Sequence, residues 1–321
     1  MNKILVLGAG GFIGHHMVSR LKSNGSYVVG VDIKYPEFET TKADEFLILD
    51  LCNSDSYKFI DSTFDEIYQF AADMGGAGYI FTGDNDFNIM SGSSSININL
   101  LRHLVLNSIT PKIFYSSSAC VYPEELQASN ENPGLSESDA YPANPDSEYG
   151  WEKLFSERLY LSAKKNYGLD VKIGRYHNVY GPLSTWSGGK EKAPAALCRK
   201  VIESSGEIEI WGDGKQTRSF LYIDDCIDGT LALMNSEKVG PYNIGSSESI
   251  AINDFAKMIS SIENKKIVIK NIHGPKGVNG RNSNNTLTES EIDWSPKIQL
   301  KDGISRTYFW IKSLSDNNNT I

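Results

Sequence analysis

Short apolar runs alternate with amphipathic stretches along the first part of the chain. Residues 4–7 and 27–33 are apolar or β-branched runs, and between them Ile13, Met17 and Leu21 recur at helical spacing. Short apolar runs predict strands buried on both faces, whereas a spacing of three to four residues predicts a helix. Because the strand–helix–strand connection is right-handed, the two strands form a parallel pair. The chain therefore begins with a predicted βαβ unit.

The same alternation continues to about residue 176. Further apolar runs predict strands, with helical stretches between most of them, at residues 45–50, 66–72, 112–117 and 171–176. This order is typical of an α/β fold with a doubly wound parallel (Rossmann) sheet, which we assign to residues 1–176. Gly, Pro and Trp interrupt the pattern in residues 177–321, which predict a smaller mixed α/β C-terminal lobe that binds substrate. A segment near 215–245 is expected to return to the sheet, and the polar residues 313–321 are expected to fray.

Composition narrows the class of protein. The chain has 321 residues, 40% hydrophobic and 22% charged, with a formal net charge of −9. An acidic surface argues against nucleic acid or an anionic membrane as a partner, and residues 4–7 are too short for a signal sequence or a membrane span. Cys52, Cys120, Cys198 and Cys226 show neither C-x-x-C spacing nor a metal pattern. We therefore expect free thiols, no metal site and a cytoplasmic enzyme.

Three glycines, Gly8, Gly11 and Gly14, follow the first predicted strand and open the helix. A tight turn at a helix N-terminus lets backbone N–H groups approach a pyrophosphate. Asp32 ends the second predicted strand, where a carboxylate accepts hydrogen bonds from ribose hydroxyls and repels a 2′-phosphate. The pattern predicts an NAD site, the alternative being glycines that serve helix packing alone.

The predicted cofactor site extends past the glycine turn. Asp50 closes the third predicted strand and could reach the adenine edge, although an aspartate that starts a loop is nearly as common an interpretation. The complete set of predicted cofactor-binding residues is Gly8, Gly11, Phe12, Ile13, Gly14, Asp32, Asp50, Leu51, Tyr149 and Lys153.

A second motif, "YGWEK", places Tyr149 and Lys153 four residues apart, on one face of a helix. A lysine ammonium beside a phenol, with a cationic nicotinamide nearby, favours the phenolate and makes tyrosine a usable base. With the glycine turn, and with Ser118 at a strand end upstream, the pair resembles the short-chain dehydrogenase/reductase superfamily. In that superfamily serine, tyrosine and lysine direct hydride transfer.

The segment "WGDGKQTRSFLYIDD" (211–225) resembles the extended branch of that superfamily, whose members act on nucleotide sugars. The resemblance implies that Gln216 and Arg218 hold the sugar nucleotide, and an arginine fork suits a diphosphate. For Arg218 a surface ion pair is the alternative. Extended members commonly dimerise through a four-helix bundle, which implies a homodimer.

Longer segments resemble a narrower family, the GDP-mannose 3,5-epimerases, over nearly the whole chain. They are "AADMGGAGYI" (71–80), "SSACVYPE" (117–124), "GRYHNVYGP" (174–182), "GGKEKAPAALCRK" (188–200), "WGDGKQTRSF" (211–220), "GVNGRNSNNTL" (277–287) and "TYFWIK" (307–312). In related dehydratases a carboxylate base stands where this chain has Cys120, and a thiol is also a reasonable base once a cation lowers its pKa.

The resemblance implies a role for each matching residue. Cys120 and Lys192 would be the acid/base pair that exchanges protons at C3 and C5 of the sugar. Tyr149, assisted by Lys153 and Ser118, would remove the C4 hydroxyl proton while hydride passes to NAD. The residues implied to bind the GDP-sugar are Gly78, Ser118, Asn178, Glu191, Lys192, Lys200, Gln216, Arg218 and Arg281.

Some of these implied roles have simpler alternatives. Glu191 could be an N-cap or a surface charge, Asn178 could turn the chain before Gly181, and Lys200 could be a solvated helix residue. Residues 81–97 diverge from the family pattern. A GDP-linked heptose or deoxyhexose, a C4 oxidoreductase activity and a non-catalytic nucleotide-sugar-binding module all therefore stay open beside 3,5-epimerisation.

Overall fold

The computed structural model describes residues 1–274 and 277–318. The strands are β1 (Lys3–Leu7), β2 (Tyr27–Asp32), β3 (Glu45–Ile48), β4 (Glu66–Gln69), β5 (Lys112–Ser118), β6 (Asp170–Tyr176), β7 (Val179–Tyr180), β8 (Glu207–Trp211), β9 (Thr217–Ser219), β10 (Leu221–Tyr222), β11 (Tyr242–Ile244), β12 (Ser249–Ala251), β13 (Val268–Ile272) and β14 (Gly280–Arg281). The helices are α1 (Phe12–Ser23), α2 (Ala77–Ile80), α3 (Asp86–Leu106), α4 (Glu148–Tyr167), α5 (Ala193–Glu203), α6 (Ile223–Asn235), α7 (Ile252–Ser261), α8 (Thr286–Ile292) and α9 (Leu300–Asn318).

One large sheet organises the molecule. Its seven strands run in the order β11-β6-β5-β4-β1-β2-β3, and every neighbouring pair is parallel. Because all strands point the same way, their carboxyl ends lie along one edge. The strand order reverses beside β1, which is where such sheets bind ligands. The predicted doubly wound α/β sheet with a mixed smaller lobe is confirmed.

Alternate residues of β1 supply the two faces of this sheet. Ile4 and Val6 pack in a core layer with Met17 of α1, whereas Leu5 and Leu7 pack in a separate layer that includes Leu100 of α3. Successive side chains of a strand point to opposite faces, so a run of apolar residues fills both layers. This explains why the strand is apolar at every position from Ile4 to Leu7 rather than at every second one.

Helix α4 is fixed at both ends by local signals. The Ser147 side chain accepts a hydrogen bond from the backbone N–H of Gly150 at 3.3 Å, and Gly168 ends the helix at φ +72°. A serine N-cap and a left-handed C-terminal glycine satisfy the unpaired backbone groups at helix ends. The first turn of α4 is thereby held at the carboxyl edge of the sheet, and it carries Tyr149.

The C-terminal half is shared between the sheet and the lobe. Strand β11 pairs with β6 in the large sheet, whereas β12-β9-β14 and β13-β8 form small separate sheets. Helix α9 continues to Asn318, so the prediction of fraying is wrong for residues 313–318, and residues 319–321 lie outside the described part. Tyr308 and Ile311 of α9 are buried, so packing of its apolar face stabilises the helix although its last residues are polar. No described helix is long and apolar enough to cross a lipid bilayer.

Candidate active site

The glycine turn after β1 needs bare backbone at specific points. Gly8 has φ +84°, and its N–H donates to the carbonyl oxygen of Val31 at 2.8 Å. A Cβ added at Gly14 would lie 2.1 Å from the carbonyl oxygen of Gly8. These contacts bring the N-terminus of α1, capped by Gly11 and starting at Phe12 and Ile13, against the strand edge. The turn can therefore present backbone N–H groups to a pyrophosphate, as predicted.

Asp32 lies beside the turn at the end of β2. Its Oδ2 accepts a hydrogen bond from the N–H of Gly10 at 2.9 Å, and its Oδ1 accepts from the N–H of Ile33 at 2.7 Å. Burial raises the pKa of Asp32, and these backbone donors oppose the rise. The N–H of Lys34 also donates to Oδ1, at 3.3 Å. Because a carboxylate has about four acceptor sites, Asp32 can still accept from a ribose hydroxyl. The residues present thus fit the adenosine half of NAD.

Gly10 is a residue of this site that the sequence argument missed. A Cβ there would lie 2.2 Å from the backbone oxygen of Lys34, which follows β2. Gly10 therefore lets the turn reach Asp32, a requirement that comes from a contact across the sheet rather than from glycine spacing. The sequence signal for Gly10 is the segment "GAGG" at residues 8–11, in which three of four residues are glycine.

We expect Gly10→Ala to weaken NAD retention about tenfold, because the new methyl group meets a backbone oxygen that cannot move aside and the Gly10–Asp32 hydrogen bond is lost. The measurement is the NAD content of the purified protein after extensive dialysis. Gly92→Ala is the matched control, since a Cβ at that α3 position has as its nearest neighbour the Cys52 sulfur at 3.9 Å. Equal NAD content in both variants would contradict the assignment.

The structure places the predicted Asp50 and Leu51 differently from each other. Leu51 is buried in the core. Asp50 is exposed; its side chain accepts a hydrogen bond from the N–H of Cys52 at 2.8 Å, and its carbonyl oxygen accepts from Ser56. Its observed contacts are thus those of a residue that caps a turn, the second of the two interpretations from sequence.

The reactive groups meet where β5 ends and α4 begins. Ser118 is the last residue of β5, and its hydroxyl oxygen accepts from the N–H of Cys120 at 3.2 Å. Cys120 and Tyr149 are both buried and belong to one apolar cluster with Ile80. A Cβ at Gly150 would lie 2.1 Å from the carbonyl oxygen of Cys120. Glycine in "YGWEK" therefore allows the close approach of the tyrosine helix to the cysteine turn, a second role that sequence reasoning missed.

Tyr149 and Lys153 lie one turn apart on α4. The Lys153 Nζ donates to the carbonyl oxygen of Ser116 at 2.9 Å and lies 5.7 Å from the centre of the Tyr149 ring. Burial raises the pKa of Tyr149, whereas Ser118 and Arg281 act to lower it. Burial also lowers the pKa of Lys153. The protein alone thus favours the phenol, because desolvation outweighs the lowering by Ser118 and Arg281. The phenolate expected beside a cationic nicotinamide stays a prediction.

Arg281 is fixed by three different partners. Its Nη1 donates to the Cys120 Sγ at 3.2 Å, its Nε donates to Gln127 Oε1 at 2.6 Å, and its Nη2 forms an ion pair with Asp146. Burial raises the pKa of the Cys120 thiol, and the positive charge of Arg281 opposes that rise. The residue implied to bind substrate is therefore also in direct contact with the predicted acid/base cysteine.

Arg218 and Gln216 lie on the same side of the site, on or beside β9. Backbone oxygens of Thr217 and Val278 accept from the Arg218 guanidinium at 2.8 and 2.6 Å. Burial and the nearby Arg281 lower the pKa of Arg218 to about 9. The Gln216 amide nitrogen donates to the carbonyl oxygen of Trp211 at 3.0 Å, and its Oε1 is buried without a partner among the described residues. Two desolvated guanidinium groups side by side suit an anionic ligand.

The predicted residues of the C-terminal lobe divide into two groups. Lys192 directly precedes α5, and burial lowers its pKa while the Cys120 thiol opposes the shift, so the two side chains interact electrostatically. The Glu191 carboxylate is paired with Arg199 at 3.0 Å and accepts from the N–H of Gly189. Glu191 therefore braces the loop that carries Lys192. Its side chain is only 11% exposed and the N-cap of α5 is Lys192, so it is neither the N-cap nor the surface charge of the alternative interpretations.

The remaining predicted substrate residues surround Trp211 or turn the chain. Lys200 donates to the carbonyl oxygen of Glu209 at 2.6 Å and lies 5.9 Å from the Trp211 ring centre. A Cβ at Gly78 would lie 3.6 Å from the same indole. Asn178 has φ +44°, and its amide donates to the carbonyl oxygen of Ser219 at 2.8 Å. Gly78 and Lys200 thus converge on Trp211, whereas the observed contacts of Asn178 hold a turn.

No metal site is found in the described part of the chain. No group of three or more His, Cys, Asp or Glu side chains within residues 1–274 and 277–318 is arranged to hold a metal ion.

Comparison with known proteins identifies the family. The model of the NAD-dependent epimerase/dehydratase family matches residues 4–245. The GDP-mannose 3,5-epimerase of Arabidopsis thaliana is 46% identical over 312 residues, covering 97% of this chain and 82% of that protein. GDP-mannose 3,5-epimerase 1 of Oryza sativa subsp. indica is 45% identical over 320 residues, covering 99% and 84%. The resemblance predicted from sequence is confirmed.

Solved structures agree with this family. UDP-glucuronic acid 4-epimerase from Bacillus cereus, in complex with UDP-glucuronic acid and NAD, has a TM-score of 0.81 and 29% identity, covering 97% of this chain and 99% of that one. The UDP-glucose 4-epimerase of Thermotoga maritima shares the fold, with a TM-score of 0.86 at 23% identity, covering 98% and 99%. The predictions of an enzyme and of NAD as its cofactor are confirmed: the chain belongs to the NAD-dependent epimerase/dehydratase family.

Proposed function

We propose that the protein epimerises GDP-mannose at C3 and C5 through transient oxidation at C4. The observation that carries the proposal is the buried thiol of Cys120, two residues after β5, which packs in one cluster with Tyr149 and lies within electrostatic range of Lys192. A simple 4-epimerase needs only the oxidation and reduction at C4, that is, transfer of a hydride and of the hydroxyl proton. An acid/base pair drawn from both lobes is what inversion at further ring carbons requires, because each centre must be protonated from the face opposite to the one that lost the proton.

Tyr149 is assigned to the C4 hydroxyl. Bound NAD⁺ supplies the chemistry of accepting a hydride from C4 and later returning it. As the phenolate favoured beside the cationic nicotinamide, Tyr149 accepts the hydroxyl proton in the oxidation and gives it back in the reduction, and Ser118 hydrogen-bonds the same oxygen. Lys153 holds the helix position of Tyr149 through its bond to the Ser116 carbonyl oxygen. The carbonyl formed at C4 acidifies the hydrogens on C3 and C5, which a moderate base can then remove.

Cys120 and Lys192 are assigned to those two carbons. Burial raises the pKa of the thiol and lowers the pKa of the ammonium, so the two values move toward each other. Burial thus favours the neutral form of each group, a thiol that can donate a proton and an amine that can accept one.

The nucleotide half of the substrate is assigned to the C-terminal lobe. Arg218 and Arg281 would face the diphosphate, and the partnerless Oε1 of Gln216 offers a buried acceptor for a substrate hydroxyl or amine. Trp211 is 40% exposed and lies close to Lys200 and Gly78, so its ring is available for stacking with a nucleobase.

A second candidate substrate is a GDP-heptose. An open cleft lined by Phe81, Asp86, Glu148 and Trp151 continues from Asp146, which contacts Arg281 at the reactive centre. Two of these lining residues, Phe81 and Asp86, belong to residues 81–97, which depart from the family pattern. A sugar with an additional carbon beyond C6 would extend into this cleft, where a carboxylate can accept from its hydroxyl groups.

The decisive experiment is incubation of the purified protein with GDP-mannose in deuterated water. We expect solvent deuterium at C3 and C5 of the recovered sugar, without added NAD and without net NADH, because the cofactor is regenerated in each turnover. NMR and mass analysis of the product give the positions. GDP-heptose, assayed in parallel, is the comparison substrate. Tight binding of GDP-mannose with no label at either carbon would overturn the proposal.

We also propose that the protein is a homodimer. Helices α3 and α4 pack together, and the large apolar side chains Phe87 of α3 and Phe155 of α4 remain exposed in a single chain. Large exposed apolar side chains on two packed helices favour association with a second helix pair. Light scattering would measure the mass.

A cytoplasmic location and the absence of membrane or nucleic-acid partners stay predictions.

A further inference from the structure

Positive charge surrounds the Cys120 thiol. Arg281 approaches it from β14 at 3.2 Å, and a carboxylate, Asp146, lies directly behind that guanidinium. The charged and titratable groups that face the thiol come from several elements: Arg281 (β14), Arg218 (β9), Lys192 (before α5), Tyr149 and Lys153 (α4) and Asp146 (before α4). Burial favours the protonated thiol, the adjacent Arg281 favours its loss of a proton, and the Asp146 charge opposes Arg281.

Asp146 is placed to supply that negative charge. The side chains of Arg281 and Asp146 are only 6% and 2% exposed, so water and salt screen their interaction little. Arg281 uses a separate nitrogen for each partner, and its Nε bond to Gln127 fixes the plane of the guanidinium. The carboxylate and the thiol therefore bind opposite sides of one immobile cation.

We propose that Asp146 is a positioning residue for the reaction, which holds Arg281 against Cys120 and offsets its charge so that the resting side chain is a thiol rather than a thiolate. This rests on the proposed function, in which Cys120 exchanges a proton with a sugar carbon. Both protonation states must be reachable in one turnover. Arg281 stabilises the thiolate once it forms, and Asp146 prevents it from forming permanently.

The direction of the electrostatic effects agrees with this role. Burial raises the pKa of Cys120, Arg281 lowers it, and Asp146 raises it. Removing the carboxylate charge while keeping an oxygen that accepts from Arg281 must therefore lower the pKa of the thiol. Removing the guanidinium must raise it. The two substitutions shift the titration in opposite directions, which a purely structural disturbance would not do.

The test is the pH dependence of Cys120 alkylation by iodoacetamide, read from peptide mass spectra of the NAD-bound protein without any sugar. In Asp146→Asn we expect the midpoint to fall by roughly 1 pH unit, and in Arg281→Gln we expect it to rise by a similar amount. Glu148→Gln, an exposed carboxylate two residues away, is the matched control and should leave the midpoint unchanged. Cys52, which is exposed, serves as the internal reference in every sample.

Folding is read in the same spectra, because Cys198 and Cys226 are fully buried and label only if the chain opens. A midpoint that stays or rises in Asp146→Asn, with both buried thiols protected, would overturn the inference. If that variant opens, an unchanged or lower midpoint in Arg281→Gln overturns it instead. The titration needs no turnover, so a negative deuterium experiment on the wild type would reject the proposed function independently.

Discussion

Cys120→Ala is expected to abolish deuterium uptake at C3 and C5 of GDP-mannose while leaving oxidation at C4 intact. The thiol is assigned to the carbon acids, whereas Tyr149 and Lys153 are assigned to the hydride step and keep their places on α4. Loss of a positioned acid or base costs about 10²–10⁴-fold in rate. Deuterium incorporation is measured by NMR, and hydride transfer is followed in the same variant by the transient absorbance of NADH.

Cys52→Ser is the control for Cys120→Ala. It also removes a thiol, but from an exposed position whose sulfur donates to the carbonyl oxygen of Gly92 at 3.6 Å. We expect near-wild-type rates from it. If Cys120→Ala epimerises at the wild-type rate, the acid/base assignment is wrong, although the C4 chemistry would still stand.

Tyr149→Phe should eliminate both the NADH transient and the deuterium exchange. Without the phenol hydroxyl nothing at this position removes the C4 proton, so the ketone that acidifies C3 and C5 does not form. We expect a loss of about 10²–10⁴-fold in kcat with little change in KM, because the nucleotide half of the substrate is held from the other lobe. Stopped-flow absorbance and product analysis give the two readouts.

Tyr115→Phe provides the matched comparison. Tyr115 is a buried tyrosine whose ring centre lies 5.0 Å from the Lys153 Nζ, close to the distance found for Tyr149. The Tyr115→Phe variant tests whether a loss of kcat comes from a disturbed Lys153 rather than from the missing hydroxyl of Tyr149. If kcat falls by a similar factor in Tyr115→Phe and Tyr149→Phe, the loss comes from disturbed packing around Lys153, and the assignment of Tyr149 as the base is wrong.

The cofactor turn could be predicted from sequence because its determinants are local. Gly8, Gly14 and Asp32 lie within one βαβ unit, and strand, turn and helix signals bring them to one edge of the sheet. Gly10 and Gly150 could not be predicted in this way. Each is required by one backbone oxygen far away in the chain or across the sheet, and no periodicity records which oxygen that is.

The arrangement of charges around Cys120 was even harder to predict from the sequence. Asp146 and Arg281 are separated by 135 positions in the sequence, and in the fold Arg281 lies on β14, which pairs with β9. The resemblance to a family identified Arg281 as a substrate residue but gave no reason to inspect Asp146. Similarly, the resemblance implied that Glu191 binds substrate but did not indicate that its carboxylate pairs with Arg199.

The chain crosses between the large sheet and the lobe three times, after β6, between β10 and α6, and after β11. Cys120 stands on the sheet side of these connections and Lys192 on the lobe side. The spacing between the two groups assigned to proton exchange is therefore set by how the lobe packs on the sheet and not by either unit alone.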